Sequence, residues 1–132
     1  MIVILDVSAA IEILFLKEKS VQFQRAYNEG TWVIAPDLYV SELTNVLWKY
    51  AKAGLLSQEE CIQYTEDGLG MIDDFMESKD LWKEALTESI KNNHPVYDMI
   101  YAVLTRRNGG ILITNDRKLS EMCETLHIGC LF

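Results

Sequence analysis

Short, continuously apolar runs alternate along the chain with longer stretches in which apolar positions recur every three or four residues. Residues 2–5, Ile-Val-Ile-Leu, are apolar throughout and end at Asp6, the pattern of a strand buried on both faces of a parallel sheet. Residues 32–35 (WVIA) and 111–114 (ILIT) repeat it, and 127–132 (HIGCLF) predicts a last strand. Helices fill the intervals. Ser8 is placed to cap a first helix over AAIEILFL, its hydroxyl accepting from an orphan N–H. A second helix is predicted over 18–28, with Val21, Phe23, Ala26 and Tyr27 on its apolar side and Gly30 as its stop. Pro36-Asp37 opens a long amphipathic helix to about Ala53. Ser57 and Glu60 have capping-box spacing for the next one, which Gly68 and Gly70 weaken toward its end. Residues 71–77, MIDDFME, fit either a helix or a short edge strand. Helices are predicted over 80–92, broken by His94-Pro95, over 97–107, ended by Asn108-Gly109-Gly110, and over 117–125. Strands separated by helices imply an α/β sandwich on a mainly parallel sheet. No repeat or linker divides residues 1–132, so one domain is expected.

Composition narrows the class. A chain of 132 residues, 49% hydrophobic and free of low-complexity tracts, can bury a core and is not expected to be disordered. The N-terminus lacks a basic lead and a small-residue cleavage site, and no apolar run approaches the ~20 residues of a membrane span. A soluble, cytoplasmic protein is the expectation. Cys61, Cys123 and Cys130 are widely spaced and odd in number, and His94 and His127 stand in no ligand spacing with them. Reduced thiols fit this better than disulfides, and zinc chemistry is disfavoured. The net charge of −8 argues against a generic nucleic-acid coat. It leaves room for a nuclease with an acidic site, because metal reverses the local charge; RNA contact would then depend on metal and a few local cations.

The chemistry-bearing residues are Asp6, Glu42, Asp98 and Asp116. Asp6 and Asp116 follow two predicted strands, where open parallel sheets form their ligand clefts. Glu42 lies in the long helix among Leu38, Val40, Leu43 and Val46, and Asp98 in the first turn of a helix running on through Ile100, Val103 and Leu104. Taken singly, Asp98 and Asp116 read as helix-terminal residues complementing the macrodipole, and Glu42 as a solvated helix residue. Together they form a set that would repel itself without cations, and oxygen-only ligation suits Mg²⁺ or Mn²⁺. Asn45, one turn beyond Glu42, can point into the same cleft. Arg106, Arg107, Arg117 and Lys118 are candidate phosphate contacts, with ordinary surface charge the simpler reading of each.

The segments ILDVSAAIEIL, SELTNVLWK, VYDMIYAVLTRR and GGILITNDRKL resemble, in order and across essentially the whole chain, the PIN-domain family. Within that family they resemble the ribonuclease toxins of bacterial and archaeal toxin–antitoxin pairs, the VapC kind. The resemblance implies a Rossmann-like three-layer α/β/α sandwich with a mainly parallel central sheet and an RNA substrate. It implies one or two Mg²⁺ or Mn²⁺ ions held by Asp6, Glu42, Asp98 and Asp116, with Ser8, Thr114 and Asn115 of the Thr114-Asn115-Asp116 turn in support. Two positions depart from the pattern: Val7 stands where many relatives carry Thr or Ser, and Met99 where a small residue is common. Neither removes a ligand; both bear on pocket shape and substrate preference.

From Leu38 to Tyr50 the long helix carries more apolar surface than one stripe needs. Core on two sides explains it, as does a homodimer face or a groove for a partner such as an antitoxin; Trp32 and Trp82 are read as packing residues. Three other classes compete. A phospho-receiver would want paired acids after the first strand, and a haloacid-dehalogenase-like phosphatase an Asp-x-Asp where Asp6-Val7-Ser8 stands. A PIN-like scaffold binding RNA or protein without catalysis would be favoured by loss of a ligand, and none is lost.

Overall fold

A computed structural model covers residues 1–132 and contains five strands and seven α-helices. In chain order these are β1 (Ile2–Leu5), α1 (Val7–Leu14), α2 (Ser20–Asn28), β2 (Trp32–Pro36), α3 (Leu38–Lys52), α4 (Gln58–Gly70), β3 (Asp74–Met76), α5 (Trp82–Asn92), α6 (Val96–Asn108), β4 (Ile111–Ile113), α7 (Arg117–Thr125) and β5 (Cys130–Leu131), with a 3-10 turn at Ser78–Asp80. All strand pairs are parallel, in the order β3-β2-β1-β4-β5. The undecided segment 71–77 contains the edge strand β3.

Period-two alternation splits the apolar strands between two cores. Val3, Leu5, Val33, Ala35 and Ile113 face the layer of α1–α4; Ile4, Ile34 and Leu112 face α5–α7. The sheet is thus the middle of three layers, as expected. No helix is long and apolar enough to cross a membrane.

Local chemistry sets several boundaries. Ser57 accepts from the Glu60 N–H at 3.1 Å and Glu60 accepts from the Ser57 N–H at 3.0 Å, the capping box read from the sequence. At the start of α1 the expected cap is corrected. Asp6, not Ser8, is the N-cap, accepting from Ala9 N at 3.0 Å, and Ser8 lies inside the helix. The two glycines do not cut α4 short. A Cβ on Gly68 would meet Leu43 Cδ2 at 2.6 Å, so the missing side chain is what seats α4 on α3, and Tyr39 Oη donates to the Gly68 carbonyl at 2.8 Å. Trp32 packs against the second core and donates to Asp74 Oδ2 at 2.7 Å. Trp82 is 54% exposed and is not the packing residue expected of it.

Strands distant in sequence meet at one place in the sheet. β1 pairs with both β2 and β4, so the order reverses between β1 and β4, and the carboxyl ends of these strands border the crevice where such folds bind ligands. Asp6 follows β1 there, and Thr114-Asn115-Asp116 follows β4.

Candidate active site

Asp6 is buried and its oxygens are nearly saturated. Oδ1 accepts from Ala9 N and, at 2.7 Å, from Ser8 Oγ; Oδ2 accepts from Thr114 Oγ1. An ionised carboxylate offers about four lone-pair sites, so one remains for a ligand. Both hydroxyl protons are spent on Asp6, which makes the 3.3 Å contact between Ser8 Oγ and Thr114 Oγ1 a packing contact. The same hydroxyls accept from the next turn: Asn115 N donates to Ser8 Oγ at 2.8 Å and Asp116 N to Thr114 Oγ1 at 3.0 Å. Ser8 and Thr114 thereby lock the ends of β1 and β4 together.

Asp116 caps α7, accepting from Leu119 N at 3.2 Å on Oδ1. The helix-terminal reading of this residue is therefore true, and its Oδ2 stays free for the cleft. Asp98 does not cap α6; its Oδ2 lies 2.9 Å from His94 Nε2. Glu42 projects from α3 and accepts from Tyr101 Oη at 2.7 Å on Oε1. Glu42 Oε2, Asp98 Oδ1 and Asp116 Oδ2 take no hydrogen bond from the protein, and none is a buried orphan, so each is open to solvent.

All four acids line one cleft of about 410 Å³. Burial, opposed by the Thr114, Ser8 and Ala9 hydrogen bonds, pushes the Asp6 carboxyl up to about 6. Burial likewise takes Glu42 up to about 7, with Tyr101 opposing and Asp6 and Asp98 adding repulsion. Burial also raises Asp98 above the usual carboxylate range, against its bond to His94. Desolvation and like charge act together here.

Asn45 is corrected. It is exposed and does not line the cleft; Val46, a full turn beyond Glu42, does. Arg106 and Arg107 are engaged elsewhere, by Glu84, Glu88 and the Asp80 carbonyl, and Arg117 lies 5.1 Å from the Phe132 ring centroid. The cleft also holds residues not anticipated: Glu12, Lys17 and Tyr101. Glu12 is buried, accepting from Asn115 Nδ2 and Lys19 N, both at 3.0 Å. Its place one turn after Ser8 on a helix was the available signal, as was Tyr101's place three residues after Asp98.

The donor set fits a hard divalent cation, being oxygen-only with three open carboxylate atoms and one remaining site on Asp6. No three of the acidic, His or Cys side chains close on a common point. Such a cation would be held by the open oxygens of Asp6, Glu42, Asp98 and Asp116, with waters completing its shell.

Comparison with known proteins identifies the family. The sequence model of the PIN domain matches residues 3–125. The chain belongs to the PIN-domain family. This PIN domain is 32% identical over 128 residues to Ribonuclease VapC3 of Pyrobaculum aerophilum, covering 93% of the chain and 95% of that relative. Its fold matches the crystal structure of PAE2754 from Pyrobaculum aerophilum (TM-score 0.72, 21% identity, 94% of this chain and 85% of that one). It also matches that of VapBC2 from Rickettsia felis bound to a DNA fragment from their promoter (TM-score 0.66, 14% identity, 99% and 98%).

Proposed function

We propose that this PIN domain is a ribonuclease that hydrolyses RNA phosphodiester bonds with Mg²⁺ or Mn²⁺ and acts as the toxin of a toxin–antitoxin pair. The observation that carries the reading is the cleft. Asp6, Glu42, Asp98 and Asp116 line it together, and no Lys or Arg forms an ion pair with any of them. The likeness to Ribonuclease VapC3 supports RNA as substrate, and the motif segments support the toxin role.

When bound, the metal supplies an acidified water and neutralises charge on the phosphate. The chain's part is placement. Ser8, Thr114 and Ala9 N fix Asp6; Tyr101 holds one oxygen of Glu42 and leaves the other toward the cleft; His94 does the same for Asp98. Carboxyls raised to about 6 and 7 hold protons near neutrality that a cation displaces. A homodimer is proposed as well, supported by Trp48 and Ile62, both more than half exposed along the groove of about 690 Å³ between α3 and α4; sedimentation at micromolar concentration is expected to give a dimer, and a clean monomer would remove it.

Purified protein is expected to cleave single-stranded RNA in Mg²⁺ or Mn²⁺, to stop in excess chelator and to resume when metal is restored. Cleavage undiminished by chelator would overturn the mechanism. RNA bound but left intact would make the protein a scaffold.

A further inference from the structure

We infer that Lys17 and Tyr50, with the aromatic hollow behind them, seat the nucleotide next to the scissile phosphate of a single-stranded RNA. The inference rests on the ribonuclease reading and deepens it. Among the lining residues of the cleft are five acids, Asp6, Glu12, Glu42, Asp98 and Asp116, and a single Lys or Arg, Lys17. Lys17 follows α1, is exposed, and forms no ion pair with those acids. Its Nζ instead donates to Tyr50 Oη at 2.9 Å, 5.7 Å from the Tyr50 ring centroid and 6.0 Å from that of Phe15. An ammonium has three donors; Tyr50 takes one and two remain for a phosphate.

Behind this pair lies a second space, about 200 Å³, lined by Phe15, Lys17, Tyr50, Leu55, Leu56 and Tyr64. Lys17 and Tyr50 wall both the cleft and the hollow, so the two adjoin across this pair. Phe15 packs edge-on against Tyr50 and Tyr64, centroids 4.9 and 4.6 Å apart, which stiffens the wall, while Leu55 is 67% exposed at its rim. A phosphate in the cleft would put the adjoining sugar-phosphate beside Lys17 and its base against the hollow. Stacking on aromatic faces tolerates any base but requires an unpaired one, so the seat selects single strands over duplex. Charge points the same way: in a chain of net charge −8, a polyanion reaching an acidic cleft gains most from the one cation at its wall.

The test is steady-state cleavage of a single-stranded RNA oligonucleotide in Mg²⁺ between about 50 and 200 mM salt. For Lys17→Gln, KM is expected to rise roughly tenfold with kcat within about twofold, and the slope of log kcat/KM against log salt to shrink by about 0.7, the share of one phosphate contact on a single strand. Lys17→Arg should restore the slope. Leu55→Glu, at an exposed position and so without cost to the fold, should raise KM by a similar factor through loss of apolar wall beside the base and added repulsion of the phosphates. Wild-type KM and salt slope in Lys17→Gln, or a loss confined to kcat, would overturn the seat. A wild-type protein that leaves RNA intact would instead overturn the ribonuclease reading beneath it.

Discussion

Two acidic clusters in this molecule solve the same problem in opposite ways. Between α5 and α6, Glu84 accepts from Arg106 at 2.6 Å and Arg107 at 2.7 Å, and Glu88 accepts from Arg106 at 2.7 Å. Burial alone would raise Glu84, but the two guanidiniums outweigh it and its carboxyl falls below the usual range. At the carboxyl end of the sheet, Asp6 and Glu42 have only neutral donors, and burial wins: both rise. Buried and half-buried acids stand in both places. What separates them is whether the chain pairs the acids with a permanent cation. Where it does, the cluster is a clasp between helices; where it does not, the cluster takes a cation from solution or stays partly protonated.

The largest effect should come from removing a charge at the cleft. Asp98→Asn keeps side-chain size and loses a negative oxygen, so RNA cleavage in Mg²⁺ is expected to fall by roughly a hundredfold or more, while the melting temperature of metal-free protein stays level or rises because repulsion has been relieved. Normal cleavage would make Asp98 a helix residue only.

Next in size is the pH response of metal-free protein. The folded values of Asp6 and Glu42, about 6 and about 7, lie above the ordinary 3.8 and 4.5. Their contribution to stability is therefore complete below the ordinary values and is lost as pH rises through the folded ones. For buried Asp6 that is about 3 kcal/mol. Thermal melts should show metal-free protein more stable at pH 5 than at pH 8, with added Mg²⁺ closing the gap. Equal stability at both would mean the cleft carboxylates are not perturbed.

Breaking the clasp is the mirror experiment. Arg106→Met leaves Glu88, which is 8% exposed, with only Lys91 at 3.9 Å, and is expected to cost about 1–2 kcal/mol in denaturant titration, with kcat on RNA unchanged. The smallest effect is Tyr101→Phe. Losing the hydrogen bond to Glu42 removes one of the influences holding its carboxyl down, so the acid limb of the cleavage profile should move upward, with activity down a few-fold near pH 6 and little changed at pH 8.

The sequence carried the fold through period and punctuation: runs such as Ile2–Leu5, the Ser57/Glu60 capping box and the Gly109 stop each correspond to an observed boundary. The four acids were legible because two follow strands and two lie on helices that cross them. What escaped depended on angle about a helix axis or on contacts distant in sequence. Asn45 and Val46 differ by one residue, and the side chain that reaches the cleft is the one four, not three, beyond Glu42. Ser8 had the look of a cap, yet Asp6 takes that role because its carboxylate must be held from three sides. The Lys17–Tyr50 bond spans 33 residues, a separation that no local pattern encodes.

The cleft acids, ion-paired to no Lys or Arg of the chain, wait on a cation from solution, and calorimetric titration with Mn²⁺ tests this directly. Saturable binding is expected, with protons released near pH 6.5 as Asp6 and Glu42 ionise, less release at pH 8, and much weaker binding in Asp98→Asn. Absence of saturable binding at either pH, or binding unchanged in Asp98→Asn, would contradict it.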